Sequence, residues 1–396
     1  MKRILFFFAI LFFSFFAQAQ NDSSDLKISI ITCSPGEEVY ACFGHSAIRV
    51  IDKKYNTDLV YNYGTFNFED PNFLVKFTRG KLLYYLNQER FENFMYTYQV
   101  EKRAVYEQQL NLSEAQKEKV QQFLTTNSKD ENKYYHYDFL LDNCSSRLRN
   151  IFENEFPKEF KIGKALTDDS ITYRQILNHY LGERHWMKLG INLLLSKGLD
   201  KKMTNEESMF LPDFLMKGFR NATINNVPFV KQTVELLPAE IPFENKNSTS
   251  PFYIFSMLAA LVFIISLSPR NRTWLLYFDV FFFMMLGLLG LFMLFMWFGT
   301  DHQNCANNIN LLWALPTHLI LAFLIPKQNA LIKKWANVSF QIVFWGFILN
   351  FLFDQHFPRE IIPLILLSLY RMNFYRKDNR LDFFSKIFQK FSTFKK

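Results

Sequence analysis

Two side chains in this sequence sit in surroundings that favour nucleophilic chemistry: a cysteine behind two polar residues in DFLLDNCSSRLRN (138–150), and a histidine behind a glycine in FGHSAIRV (43–50). After Cys144, the residues Leu148, Ile151, Phe152 and Phe156 recur at helical spacing. The cysteine therefore opens an amphipathic helix, with Asp142 or Asn143 as its cap. Unpaired N–H groups at such a terminus favour a thiolate and pull a thiol below its free value of ~8.5. A cysteine there also serves as a small apolar filler, and a base within reach separates the two readings. His45 fits that part, because an imidazole near ~6.5 accepts a thiol proton and returns it to a leaving group. A histidine held only for structure is the alternative.

These two residues need elements to bring them together. KISIITC (27–33) and HSAIRVI (45–51) read as strands around SPGEE, with a third strand at DLVYNYG (58–64). Alternation puts His45 on one face with Ala47 and Arg49, and turns Ser46, Ile48 and Val50 towards the core, leaving the histidine side to line a cleft. Gly44 permits close approach of backbone or substrate. Between residues 65 and 112 strand and loop signals mix without a clear order. Ser113 with Gln116 and Thr172 with Gln175 form capping boxes for helices to about 126 and about 181. A further helix covers HWMKLGINLLL (185–195), placed in the core in preference to the lipid surface.

A mean hydropathy of −0.05 averages two unlike parts. Residues 1–20 run from Lys2 and Arg3 through an apolar stretch to Ala17-Gln18-Ala19, the order of a secretory signal peptide; an uncleaved anchor is the alternative. Residues 21–235 form a charged, aromatic-rich globular domain with a helical extension, and 236–251 a linker. From 252 to 371 come apolar runs at 252–268, 274–298, 309–326, 337–353 and 360–371. The first four are long enough to span a hydrocarbon layer of ~30 Å, and the last is short. Arg270, Arg272, Lys327, Lys333, Lys334 and the basic tail 372–396 fall on one side, whereas the loops 299–308 and 354–360 hold one basic residue between them. That asymmetry predicts a multi-pass inner-membrane protein with its N-terminal domain exported and its tail in the cytoplasm.

The net charge of +8 thus follows topology, and no nucleic-acid motif accompanies it. Of Cys33, Cys42, Cys144 and Cys305, the first two suit a structural disulfide in an exported domain. No spacing supports a zinc site, and no metal or cofactor is expected.

TCSPGEEVYACFGHSAIRV (32–50), VYNYGTFNF (60–68), YDFLLDNCSSRLR (137–149) and DHQNCANNINLLWALP (301–316) together resemble the Lnb family of Gram-negative bacteria. The resemblance implies an N-terminal periplasmic domain, a C-terminal membrane domain and lipoprotein N-acyltransferase activity on the amino-terminal cysteine of diacylglyceryl lipoproteins. The order of histidine strand first and Asn-Cys helix later is also similar to the circularly permuted papain-like group that contains lecithin:retinol acyltransferase, a likeness of fold only. The fold class expected is therefore α+β, a permuted papain-like domain followed by an all-α membrane domain of about five helices.

Carried onto this sequence, the likeness makes His45 the base and Cys144 the nucleophile. It asks for a third polar residue on a neighbouring strand, for which Asn62 stands opposite in facing to Tyr61 and Tyr63; a structural amide is the alternative. Arg49 is a candidate for a lipid phosphate or a surface ion pair. Asp301 and His302 fall where a headgroup would lie. Cys305 is read as incidental and Trp313 as an interfacial anchor. The donor would be a phospholipid or another acyl-lipid. Two rivals remain: an exported, membrane-anchored cysteine peptidase or amidase acting on cell-wall peptide, which needs only one anchor, and a non-catalytic membrane receptor or scaffold, for which Cys144 would be dispensable.

Overall fold

β-branched residues at alternate positions make the first three strands: β1 (Leu26–Cys33), β2 (His45–Asp52) and β3 (Thr57–Thr65). The computed structural model describes residues 25–240, 248–327 and 330–376; the expected signal peptide, part of the linker and most of the basic tail lie outside the described residues. The chain continues through α1 (Phe73–Thr78), β4 (Leu83–Arg90), α2 (Phe91–Val100), β5 (Val105–Leu110), α3 (Glu114–Asn127), β6 (Tyr134–His136) and α4 (Cys144–Glu155). There follow β7 (Phe160–Lys161), α5 (Tyr173–Leu181), α6 (His185–Leu194), α7 (Asn205–Ser208), α8 (Pro212–Arg220), β8 (Thr223–Ile224), β9 (Val227–Pro228) and β10 (Val230–Leu237). Both expected capping boxes form, Ser113 with Gln116 on α3 and Thr172 with Gln175 on α5.

Seven strands make an antiparallel sheet in the order β10-β5-β1-β2-β3-β4-β6, and β7, β8 and β9 make a small second sheet. Period-two alternation sends Ile28, Ile30, Ile48, Val50, Tyr61 and Tyr63 into one core with Leu148 and Phe152 of α4 and Phe219 of α8. The opposite face, with Ile31, Cys33, Ala47 and Val60, is covered by Phe94 and Tyr98 of α2. The histidine side of β2 is therefore not an open cleft along its length. Leu59, Val60 and Tyr61 continue the apolar sheet on both faces, and α2 supplies the cover for the second one.

Among the described residues the C-terminal domain has five α-helices: α9 (Pro251–Ser266), α10 (Arg272–Phe298), α11 (His318–Leu324), α12 (Ala330–Ile348) and α13 (Ile362–Arg376). Among the described residues, α10 with its leading turn is the one helix long and apolar enough to cross a membrane by itself. The run 309–326 does not fold as one span: Ile309–Leu312 is a single 3-10 turn, Pro316 breaks the chain, and helix resumes at His318. Asp279 of α10 forms a buried bidentate pair with Arg371 of α13, both contacts 2.7 Å, closing a charge pair inside the bundle.

The two domains meet through α6. Leu189 and Leu193 pack with the helical domain's core, not with the N-terminal one, so the apolar face read as core is buried against the second domain. Asn308 donates to the carbonyls of Leu193 (2.6 Å) and Leu194 (3.0 Å), and Asn310 to those of Asn192 and Leu193 (both 3.2 Å). Trp313 is buried and donates its indole N–H to Asn310 Oδ1 at 3.0 Å; it is a brace behind this joint and not a lipid-facing anchor. Asn310→Ala strands that N–H and the Asn192 carbonyl, while Asn308 still holds the carbonyl of Leu193, at a cost of ~1–3 kcal/mol. The expected result is a lower melting midpoint for the detergent-solubilised chain with unchanged far-UV helicity.

Candidate active site

Where β2 and β3 part, the sheet opens a gap. Their pairing runs from Asp52↔Thr57 to Ile48↔Tyr61 and goes no further towards His45, while β3 shifts register against β4 between Asn62 and Thr65. Gly64 lies in that irregular stretch with φ +91°; a Cβ there would meet the Tyr137 ring at 3.3 Å and stand 3.8 Å from the Cys144 Cβ. A residue without a side chain thus lets the first turn of α4 come up to the sheet from the α4 face. Gly44 does similar work one turn earlier: its φ is +81° and a Cβ would press to 2.7 Å from the Cys33 carbonyl oxygen, so the close approach there is to backbone.

The turn bearing Cys144 is fixed from within. Asn143, buried, is the cap: its Oδ1 accepts from the N–H groups of Ser145 and Ser146 (both 2.9 Å), and its Nδ2 donates to Phe139 O and Phe210 O (both 2.8 Å). Asp142 instead pairs with Arg147 at 2.7 Å. Ser145 Oγ meets Ser46 Oγ at 3.0 Å, both fully buried, so the neighbour of the cysteine is tied to the neighbour of the histidine. Because Asn143 engages the Ser145 and Ser146 amides, the Cys144 amide is the helix-start donor left for an oxyanion.

Cys144, His45 and Asn62 come together at this gap. The Nε2–H of His45 donates to Asn62 Oδ1 at 2.6 Å, and the same ring is hydrogen-bonded to the Cys144 thiol. Burial alone would push the Cys144 thiol up, but the imidazole beside it, with lesser help from Ser46 and Ser145, holds it below its ordinary value. Burial would likewise depress His45, yet the Cys144 sulfur and the Asn62 amide raise it. The opposite shifts both favour the thiolate–imidazolium form of the pair over the neutral one, and the thiolate is the nucleophilic form of a cysteine.

The other cysteines differ. All four are unpaired thiols, so Cys33 and Cys42 are not bridged here: Cys33 faces the α2 core and Cys42 donates to Val39 O at 3.0 Å. Burial pushes Cys33 up to about 12, and Cys42 and Cys305 up to about 11.

Arg49, Asp301 and His302 lie apart from the pair. The Arg49 guanidinium is bidentate to Asp58 (2.8 and 2.6 Å), bonds Glu107 at 3.1 Å and lies 3.3 Å over the Phe91 ring. The expected ion pair forms, half-buried, with Asp58 partly exposed and Glu107 on its inner side. Arg49→Ala is expected to cost ~1–3 kcal/mol, the partial exposure of Asp58 keeping the figure low, and to leave the alkylation rate of Cys144 unchanged; thermal unfolding and thiol labelling check this. Asp301 and His302 hold the α1 region: the Asp301 amide donates to Arg79 O at 2.9 Å and His302 Nε2 to Phe77 O at 3.1 Å.

Two family models match this chain, the Lnb N-terminal periplasmic domain over residues 12–179 and the Lnb transmembrane domain over residues 243–378. The chain belongs to the Lnb family. Neither the curated proteins nor the solved structures compared with it give a match. The Lnb periplasmic match takes in His45, Asn62 and Cys144, and the Lnb transmembrane match takes in the loop with Asn308 and Asn310. Between the two Lnb matches lie α6, α8 and β10, which supply the joint, the cover of α4 and the sheet's edge strand. The Ser46–Ser145 tie and Tyr137 escaped the sequence reading. The signal for the serines was present, since each adjoins one member of the proposed pair.

Proposed function

We propose that this chain is a lipoprotein N-acyltransferase of the inner membrane, with its N-terminal domain in the periplasm and its tail in the cytoplasm. The reading is supported by one arrangement above all: a thiol at a helix start, against an imidazole that an amide orients, in a periplasmic domain seated on a membrane domain. In this scheme the Cys144 thiolate attacks the ester carbonyl of a phospholipid or other acyl-lipid, and the new C–S bond gives a tetrahedral oxyanion that the Cys144 amide stabilises. Collapse breaks the ester C–O bond, His45 delivers its proton to the departing alcohol oxygen, and a thioester remains. The neutral α-amine of a diacylglyceryl-cysteine then attacks the thioester; His45 takes the amine's proton as the C–N bond forms and the thiolate leaves. Asn62 keeps the proton on Nε2 so that Nδ1 faces the reaction. Confinement of both substrates to one bilayer raises their effective concentration and orients the ester, which gives a multi-span anchor a purpose that a peptidase lacks.

The test uses purified full-length protein in phosphatidylethanolamine vesicles. Intact-mass and peptide analysis after incubation is expected to find one acyl chain on the peptide containing Cys144, released by hydroxylamine and by a diacylglyceryl-cysteine peptide. No acyl adduct, together with water-soluble fragments from cell-wall peptide, would favour the peptidase instead.

A further inference from the structure

The stretch from Phe66 to Leu83 exposes a cluster of large apolar side chains. Leu74 is 74% exposed, Phe68 64%, Val75 57% and Phe77 50%, around a helix of one and a half turns. Contiguous apolar surface of this kind marks a binding face on a soluble domain. Arg79 and Lys81, both exposed, border it on one side.

Three observations choose the occupant. The carbonyls of Phe77 and Arg79 are held by His302 and Asp301, in the loop that directly follows the 27-residue helix α10. The patch is thereby fixed at the level where that helix leaves the hydrocarbon. Its composition, apolar and aromatic, with Arg79 and Lys81 exposed against one exposed carboxylate, Glu69, and with Asp70 neutralised by Lys76, suits a segment lying in a bilayer interface. The patch is also continuous with the candidate site: ring centroids run from Phe77 to Phe73 (6.0 Å), to Phe66 (5.8 Å), to Tyr84 (5.2 Å) and to Tyr137 (4.5 Å), and Tyr137 borders the gap at Gly64 beside Cys144.

We infer that the Phe66–Leu83 segment is a lipid-engaging wedge: α1 enters the outer-facing interface of the same bilayer, and the aromatic row behind it guides a lipid acyl chain towards Cys144. What the wedge delivers rests on the acyltransferase reading; its entry into lipid does not.

The experiment photolyses a phosphatidylethanolamine bearing a diazirine in one acyl chain, in phosphatidylethanolamine–phosphatidylglycerol vesicles holding the full-length protein. Label is expected on the 66–83 peptide in the wild type and equally in Cys144→Ala, and is expected to fall about five-fold or more in a Leu74→Asp/Val75→Asp variant. Both positions are exposed, and an unchanged alkylation rate of Cys144 shows that the site survives the change. Label confined to α9–α13, or label on 66–83 that the two aspartates do not lower, overturns the inference. If 66–83 is labelled but lipoprotein amino termini are unaltered by Cys144→Ala in cells, the wedge stands and the transferase reading falls.

Discussion

Cells whose only copy carries Cys144→Ala are expected to lose lipoprotein N-acylation, so that mass spectra of amino-terminal lipopeptides shift from the triacyl to the diacyl form. The effect should be at least ~10³-fold in rate, because removing a covalent nucleophile leaves only the catalysis that binding and an oxyanion donor supply. Cys144→Ser should fare little better: a buried hydroxyl beside a histidine is far from ionised near neutral pH, whereas the thiol is held below its ordinary value. The alanine variant keeps the fold, since Asn143 and not the cysteine caps α4 and since Ser145 still meets Ser46. A folded Cys144→Ala protein with normal triacyl termini would remove the proposed chemistry, whatever the family.

His45→Ala is the second large effect, and its pH dependence separates a base from a structural histidine. In the wild type burial pushes the Cys144 thiol up, and the imidazole, together with Ser46 and Ser145, more than offsets it and leaves the thiol below its ordinary value. Without it, burial is left as the dominant influence, and the thiol moves above that value. Iodoacetamide labelling of Cys144, plotted against pH, should therefore rise at a lower pH in the wild type than in His45→Ala, and acyl transfer near neutrality should fall ~10²–10⁴-fold. The other thiols offer little interference, because burial keeps Cys33 near 12 and Cys42 and Cys305 near 11. Identical labelling profiles in the two proteins would assign His45 to packing.

Local signals carried far in this sequence, and non-local ones did not. The strands at 27–33, 45–51 and 58–64, both capping boxes and the helix after Cys144 are written in periodicity and in cap residues that neighbours in the chain can satisfy. The mixed region 65–112 resisted reading because its short helix α1 buries no side chain fully and its aromatics pack on one another across loops, with no period to detect. The face of β2 was misread because nothing in HSAIRVI announces that α2, more than forty residues later, will cover Ala47. Likewise, the apolar stripe of α6 is the same whether it meets its own domain's core, lipid or the helical domain; only the asparagines of the 301–316 segment, which bind its carbonyls, decide among these. The run 309–326 has the composition of a span, but Pro316 interrupts it, and helix resumes only at His318.

On the proposed reading, the joint built by Asn308, Asn310 and Trp313 would set the altitude of the Cys144 sulfur. A thiol carried on a flexible stalk would sample nucleophiles at many heights above the bilayer, whereas one seated on asparagine side chains works in a thin slab. For the chemistry proposed, that slab acts as a ruler: an amine attached to a lipid-anchored residue lies within it, and the ε-amines of lysines further along the same polypeptide swing mostly above it.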